Sequence, residues 1–377
     1  MKFYHVFILF SLFIETLSFK NLILNNKLIN LSLNSNTNIA KLDLEKCLIR
    51  EYASFFSPME KSFYSKNVRF IDPLNNLEGI DKYQANVDLL AGRTFLGSLL
   101  FKDAFINLHN INTTENGDLI TRWTLRITFK ILPWAPTARF TGISVYKLDE
   151  SNKIIEQNDF WDSINLISGQ YKSVDKVEAI NDFLSQLKPD RDAAKIAPEL
   201  PYELLRRTKK YEIRKYPSII FAETKYDQRP EGYDRLGSYV GGSNELQKKL
   251  EFFSPTLMKI NDFNNTRIKR MKWPLSFIAP GQKAPPLSTF PNPTIRNVLI
   301  NQEQGFVAAV ARFDIPATEP VAIAYTQKLI RDLLDDGIKP IQTADQFQYI
   351  VAQYDALFSL NKRRVEVWIF IDNELWN

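Results

Sequence analysis

What this chain lacks sets its chemistry first. His5 and His109 are its two histidines and Cys47 its single cysteine. The second half therefore cannot build a histidine-ligated zinc site, a Cys-His dyad or a Ser-His-Asp triad, and no internal disulfide is possible. Carboxylates remain for acid-base work. Glu366 stands between Val365 and Val367 in an apolar run, where burial is expected to raise its pKa and fit it for proton transfer, or for holding hydrogen bonds as a structural acid. Arg267, Lys269, Arg270 and Lys272 stud a predicted strand, as a solvated face or as a contact for an anionic group or a membrane surface. Residues 202–217, YELLRRTKKYEIRKYP, repeat a Tyr-Glu and basic pattern across Thr208-Lys209-Lys210. They predict a hairpin with Leu204, Ile213, Ile219 and Phe221 inward. Arg206, Arg207, Lys209, Lys210, Arg214 and Lys215 lie outside, guarding an edge strand.

These residues belong to a chain of 377, 45% hydrophobic and 24% charged, with a net charge of +5. Such a composition is globular, and the length predicts about two domains. The basic excess is too mild for nucleic acid, which calls for a continuous basic stripe. Residues 3–14 are an apolar run too short to span a bilayer, and no acidic residue occurs from Thr16 to Leu42, where Lys20, Lys27, Lys41 and seven asparagines stand. A signal core followed by a transit-like segment, residues 1–40, resembles the bipartite presequence of proteins sent to complex plastids. A plain secretory signal is the alternative, although a secreted protein of this size more often uses disulfides.

From Leu42 to Tyr64, Leu44, Leu48, Tyr52, Phe55 and Phe56 recur at helical spacing, and a further helix is predicted over 80–90. Strands are predicted over 104–112, 120–132, 139–147 and 153–162, broken by Asn116-Gly117, Pro133, Pro136 and Ser151-Asn152, with a closing helix over 176–187. Helices followed by an antiparallel meander suggest α+β. The stretches FYSKNVRFIDPLNNLEGIDKY and NDFWDS resemble the NTF2-like (SnoaL-like) superfamily over residues 41–190, in a plastid version of unknown function. The resemblance implies a cone of helices on a curved antiparallel sheet, a possible homodimerisation module, and a pocket in which Asp72, Arg122, Trp123, Trp161 and Asp162 could stand. Asp72 before Pro73 reads equally as a turn residue capping nearby amides. No His/Asp pair of the catalytic kind stands at matching positions.

A linker over 191–198 leads to a second domain over 199–377. There a strand, a helix over 231–239 ended by Gly241-Gly242, the strand FVAAVARF and a helix over 318–336 stopped by Gly337 describe a strand-helix unit used twice. YELLRRTKKYEIRKYP, YVGGSN, SFIAPG, VAAVARF and RRVEVWIF, in this order, resemble the SOUL heme-binding protein family. The resemblance implies a pseudo-symmetric distorted β-barrel with two helices, related to bacterial effector-binding domains, offering an apolar groove to heme or protoporphyrin. It nominates Arg235, Leu236, Tyr239, Val240, Arg363 and Arg364 as tetrapyrrole contacts. Gly237 and Ser238 replace the basic and methionine side chains that family members carry before the YVGG turn, and any iron ligand must be Tyr, Met258 or Met271. The implied function is a non-catalytic tetrapyrrole carrier or buffer of the plastid. The alternatives are a hydrolase using Glu366, as in relatives of effector-binding domains, and an interaction protein at thylakoid or lipid-particle surfaces.

Overall fold

The computed structural model describes residues 34–189, 197–263, 266–275, 298–303, 305–341, 347–354, 364–372 and 376. The chain divides into two compact units, one running to Asn165 and over Tyr171–Lys188, the other comprising Leu166–Gln170 and Pro189–Asn377.

The first unit opens with α1 (Asn34–Ala53), then a single 3-10 turn, Lys61–Phe63, and β1 (Tyr64–Ile71). After β2 (Asn76–Glu78) come α2 (Ile80–Leu90), α3 (Phe95–Leu100), β3 (Phe101–Thr113), β4 (Leu119–Phe129), β5 (Thr137–Leu148) and β6 (Ile154–Trp161). A short hairpin of β7 (Leu166–Ile167) and β8 (Gln170–Tyr171), all but Tyr171 grouped with the second unit, precedes α4 (Lys176–Gln186). The α1 periodicity is realised as far as the helix runs: Leu44, Leu48 and Tyr52 are buried in the core of this unit, and Phe56, beyond the helix end, is buried with them. Asp175 starts α4 by accepting from the amides of Val177 and Glu178, satisfying donors that have no partner inside the helix. The sheet order is β2-β1-β6-β5-β4-β3, the helix-plus-curved-sheet arrangement expected of an NTF2-like unit. Hydrophobic alternation did not announce β1, because only Tyr64, Val68 and Phe70 of its eight residues are buried. It pairs in parallel with β6 and antiparallel with β2.

The second unit contains β9 (Glu203–Arg207), β10 (Glu212–Tyr216), β11 (Ile219–Lys225), α5 (Arg229–Gly241), β12 (Thr256–Phe263) and β13 (Thr266–Pro274). It continues with β14 (Val298–Glu303), β15 (Phe306–Phe313), α6 (Glu319–Asp335), β16 (Phe347–Gln353) and β17 (Val365–Ile371). Its nine strands run β14-β11-β13-β12-β16-β17-β15-β10-β9. No ladder joins the end strands β14 and β9 among the described residues, so the expected barrel is not closed by edge pairing. It is curled covalently instead. β10 and β11 are separated by Pro217 and Ser218, and β14 and β15 by residues 304 and 305, yet in each pair one strand lies near one end of the order and its successor near the other. β10 pairs with β15 and β11 with β14. Two bent ribbons therefore hold the sheet in a distorted barrel.

Curling gives the sheet two covered faces. Ile213, Met258, Met271, Val351 and Val367 pack against Leu236, Tyr239, Leu329 and Leu333 of α5 and α6. Tyr216, Phe221, Leu257, Val310, Ile350 and Trp368 fill the opposite, inner face. Each fully buried side chain of this size contributes about 1.5–3 kcal/mol. The hairpin expectation needs a correction here: Arg206 and Arg214 are only 8% and 4% exposed. A register shift at Ile213/Arg214 places Arg214 opposite Leu204, on a strand with no solvent face.

One glycine in the first unit is required by space. A Cβ on Gly142 of β5 would lie 2.0 Å from the carbonyl oxygen of Phe160 on β6, and backbone cannot yield as a side chain tip can. Gly142→Ala is expected to cost about 3 kcal/mol, read as a lower urea midpoint at unchanged slope; a midpoint within error of wild type would contradict the packing.

Candidate ligand-binding site

Five of the six nominated tetrapyrrole contacts fall among the described residues; Arg363 lies outside them. Leu236, Tyr239 and Val240 are 0%, 0% and 7% exposed and belong to the core under α5. They hold the helix to the sheet. Arg235 donates to the carbonyl oxygen of Lys225 at 2.7 Å and stands 4.0 Å from Glu231, along the β11 flank of the helix.

A different surface lies on the other flank. Position 237 is two residues, roughly 200°, round α5 from Arg235, and a Cβ on Gly237 would sit 3.9 Å from Cη2 of Trp273 on β13. The bare glycine lets the helix approach the indole with nothing between. The YVGGSN motif explains what covers the rest. Asn244 is buried, and its side-chain amide donates to the carbonyl oxygens of Tyr239 (3.0 Å) and Lys248 (2.6 Å) while its oxygen accepts from the Lys248 amide (3.2 Å). The Leu250 amide then donates to the Val240 carbonyl at 2.8 Å. This clamp folds the loop back along α5 and sets Phe252 on Trp273, with ring centroids 4.7 Å apart and planes at 20°. Tyr233 meets Trp273 edge-on at 6.1 Å. Tyr233, Gly237, Phe252 and Trp273 are all half-buried, and the buried indole Nε1 of Trp273 has no acceptor. The result is an aromatic shelf with an unused N–H. Sequence reasoning missed it; its one signal was the aromatic pair in EFFS beside the Trp-Pro of β13. The SFIAPG motif lies outside the described residues.

Arg364 and Glu366 belong to the inner face. Both carboxylate oxygens of Glu366, fully buried, receive Arg214 (3.0 and 3.2 Å), and Arg364 (3.2 Å), Tyr354 (2.9 Å) and Trp368 (2.9 Å) also donate to them. Arg364 also donates to Glu199, at 2.7 and 3.0 Å. Arg214 lies over Tyr202 and Arg364 over Tyr354 at 4.4 and 3.8 Å. Burial alone would raise the pKa of Glu366, but the guanidinium groups of Arg214 and Arg364 outweigh it and hold the acid at about 2. The expectation of a raised pKa is overturned: Glu366 is charged at neutral pH, has no proton to give, and its oxygens are taken. The basic run is likewise engaged. Arg267 bonds Glu319 and Tyr349, Lys269 the Asp227 carbonyl, and Arg270 and Lys272 both pair with Glu223.

In the first unit the candidate pocket residues are structural partners. Arg122 donates to Asp162 (3.1 Å) and Tyr171 (2.8 Å), Trp123 donates to Ser144 (2.8 Å), and Trp161 packs on Phe140 with centroids 4.6 Å apart. Asp72 Oδ1 accepts from the amides of Leu74 and Asn75 at 2.7 and 2.6 Å, as its position before proline predicts. His109 Nε2 lies 2.8 Å from Thr124 Oγ1. Within the cone Tyr52 reaches Thr121 and Tyr146, Tyr83 reaches Gln157, and Gln157 donates to Asp159. Burial raises the pKa of Asp159 to about 7 against hydrogen bonds that lower it, and it raises Glu51, which accepts from Tyr64 and the Glu60 amide, to about 7. A groove of about 540 Å³ runs outside this network, lined by Ile49 and Ala53 of α1 and residues 105–111 of β3.

Residues 197–370, within the second unit, match the family described as SOUL heme-binding protein. Residues 43–157 match a family described as Uncharacterized conserved protein (DUF2358). Comparison with curated proteins gave no significant match. Among solved structures, the chain is similar to an NTF2-like protein of unknown function from Exiguobacterium sp. 255-15, at 17% identity, covering 30% of this chain and 97% of that one, TM-score 0.24. It is similar to the C-terminal domain of EcmrR at 8% identity, covering 45% and 98%, TM-score 0.30. A putative polyketide cyclase from Pseudomonas putida KT2440 aligns at 12% identity, covering 38% and 96%, TM-score 0.27.

The two units are expected to respond oppositely to pH. Asp159 and Glu51 have folded pKa values above their ordinary ones. Their contribution is full below the ordinary carboxylate range and is lost as pH rises through about 7. Protection in β4–β6, the exchange rate divided out by the intrinsic rate at each pH, should therefore be greater at pH 5 than at pH 8, and Asp159→Asn should reduce the difference; an unchanged difference would contradict the assignment. Glu366, with a depressed pKa, contributes above its ordinary value of 4.5 and loses that contribution as pH falls toward about 2. Arg214→Met, which leaves this carboxylate underpaired, is expected to cost about 3–5 kcal/mol by denaturant titration at pH 7.

Proposed function

We propose that the second unit binds a tetrapyrrole, heme or protoporphyrin, on the shelf of Tyr233, Phe252 and Trp273, and that the chain carries or buffers this ligand in the plastid without transforming it. The observation that carries the reading is the half-buried aromatic shelf beside a bare helix flank, in a domain matching the SOUL heme-binding family. A porphyrin needs a flat apolar support and cations for its propionates. The stacked rings supply the first, and Lys248 and Lys249, exposed on the loop that carries Phe252, are candidates for the second.

A bound heme would supply redox chemistry at its iron. The chain offers that iron little: residues 191–377 contain no His or Cys, Met258 and Met271 are 0% exposed in the core, and the hydroxyl of Tyr233, the tyrosine of the shelf, is itself buried. Affinity then rests on ring burial and charge, neither of which senses the metal. The hydrolase reading loses its support, because the acid it relied on is doubly ion-paired. Plastid delivery rests on residues 1–40 and is tested by fusing them to a fluorescent protein in an alga with a complex plastid; secretion of the fusion would refute it.

Titrating the full chain with hemin and with metal-free protoporphyrin, followed by tryptophan quenching, should give affinities within tenfold of each other, about 1.4 kcal/mol. Trp273→Ala should weaken both ligands about tenfold. Gly237→Leu, which sets a side chain against the indole, should do the same without disturbing the core. Strong preference for hemin, or binding indifferent to both substitutions, would overturn the reading.

A further inference from the structure

We propose that the first unit docks on a bilayer surface bearing anionic lipid, through the knuckle formed by α3 and the turn between β4 and β5. The proposal stands apart from the tetrapyrrole reading, which concerns the other unit. In α3 the small residue faces the body of the unit. Gly97 is buried, and a Cβ there would collide with the carbonyl oxygen of Leu89 and lie 3.1 Å from Cα of Gly92. Residues two places apart on a helix lie roughly 200° round it, so Phe95 and Leu99, on either side of Gly97, are turned to the outer face. They are 83% and 49% exposed. An apolar i, i+4 pair ordinarily marks the stripe a helix buries; in α3 it is the stripe left outside.

The neighbouring turn adds a third apolar side chain and braces the first two. Lys130 donates its amide to the Leu100 carbonyl and its ammonium to the Ser98 carbonyl, both at 2.9 Å, which fastens the turn to the end of α3 and satisfies carbonyls that have no partner inside the helix. Ile131, the next residue, is 49% exposed. From the other side the indole N–H of Trp134 donates to the Leu187 carbonyl at 2.9 Å. The charge around this knuckle names its partner. Lys102, Lys130 and Lys188 are exposed, and no Asp or Glu occurs from Leu89 to Lys102 or from Leu119 to Leu148. Asp88, just before, is paired with Arg93 at 2.8 Å, and exposed Asp103 follows. A protein partner must supply pockets shaped to Phe95, Leu99 and Ile131. A bilayer takes up projecting apolar side chains without one, while the lysines lay their aliphatic stems along the interface and hold their ammonium groups among anionic headgroups.

Flotation of the full chain should show binding to vesicles of phosphatidylcholine mixed with phosphatidylglycerol, weaker binding to phosphatidylcholine alone, and loss of binding as salt rises. Phe95→Ser should weaken binding to the mixed vesicles at least tenfold, and so should Lys102→Gln combined with Lys188→Gln, each with an unchanged circular dichroism spectrum and melting temperature. Insertion is read separately at the knuckle itself. A polarity-sensitive dye on Phe95→Cys should shift to shorter wavelength with the mixed vesicles, and the same dye on Ile155→Cys, beyond the opposite end of β5, should not; Cys47 is buried and outside the labelling. No binding, binding that ignores lipid charge, binding carried by the apolar run of residues 3–14 and so indifferent to Phe95→Ser, or a dye at position 95 that responds to polyglutamate and not to vesicles would each overturn the proposal.

Discussion

The second unit depends on a single constraint: both faces of its sheet are largely covered. Two-residue links join strands that lie near opposite ends of the order, so the sheet must curl, and α5 and α6 cover the outside of the curl. Any charge on the inner face must then find its partner inside, because an unpaired buried ion is far more costly than a paired one. Glu366 between Arg214 and Arg364, with Glu199 and Glu212 balancing the two arginines, is the solution this chain adopts. The same constraint places Glu223 with Arg270 and Lys272. An interior filled by ion pairs and stacked aromatics has little room for a flat ligand, which directs attention to the flank of α5.

Much of the fold was legible because it follows from alternation and helical period. The α1 stripe, α2, the meander β3–β6, α4 and both helices of the second unit fall where apolar spacing and Gly or Pro breaks put them. β1 was not legible, since Lys66, Asn67 and Arg69 break its pattern and its partners are remote in sequence. The inward turn of Arg214 was hidden for a related reason: an alternating strand reads as half-solvated unless both faces are known to be covered.

The proposed site was legible in its neighbourhood and not in its residues. Motif spacing pointed to α5 and the turn after it. The side chains nominated there, Leu236, Tyr239 and Val240, are the ones that anchor the helix, and an anchor and a binding surface cannot occupy the same flank. Gly237, which reads as a departure from the family pattern, allows close approach to Trp273. Trp273 itself comes from β13, more than thirty residues later in the chain, and no local pattern joins the two. The sign of the Glu366 pKa shift was equally illegible, because an apolar neighbourhood in sequence said nothing of the two arginines that fold onto it.

The central claim is that a tetrapyrrole rests on the flank of α5 and leaves the barrel interior undisturbed. Hydrogen exchange of the full chain with and without metal-free protoporphyrin tests it most directly. The account predicts added protection in α5, the loop of residues 243–253 and the end of β13, with β10 and β17 unchanged. Protection centred on β10 and β17, around Arg214 and Glu366, would contradict it.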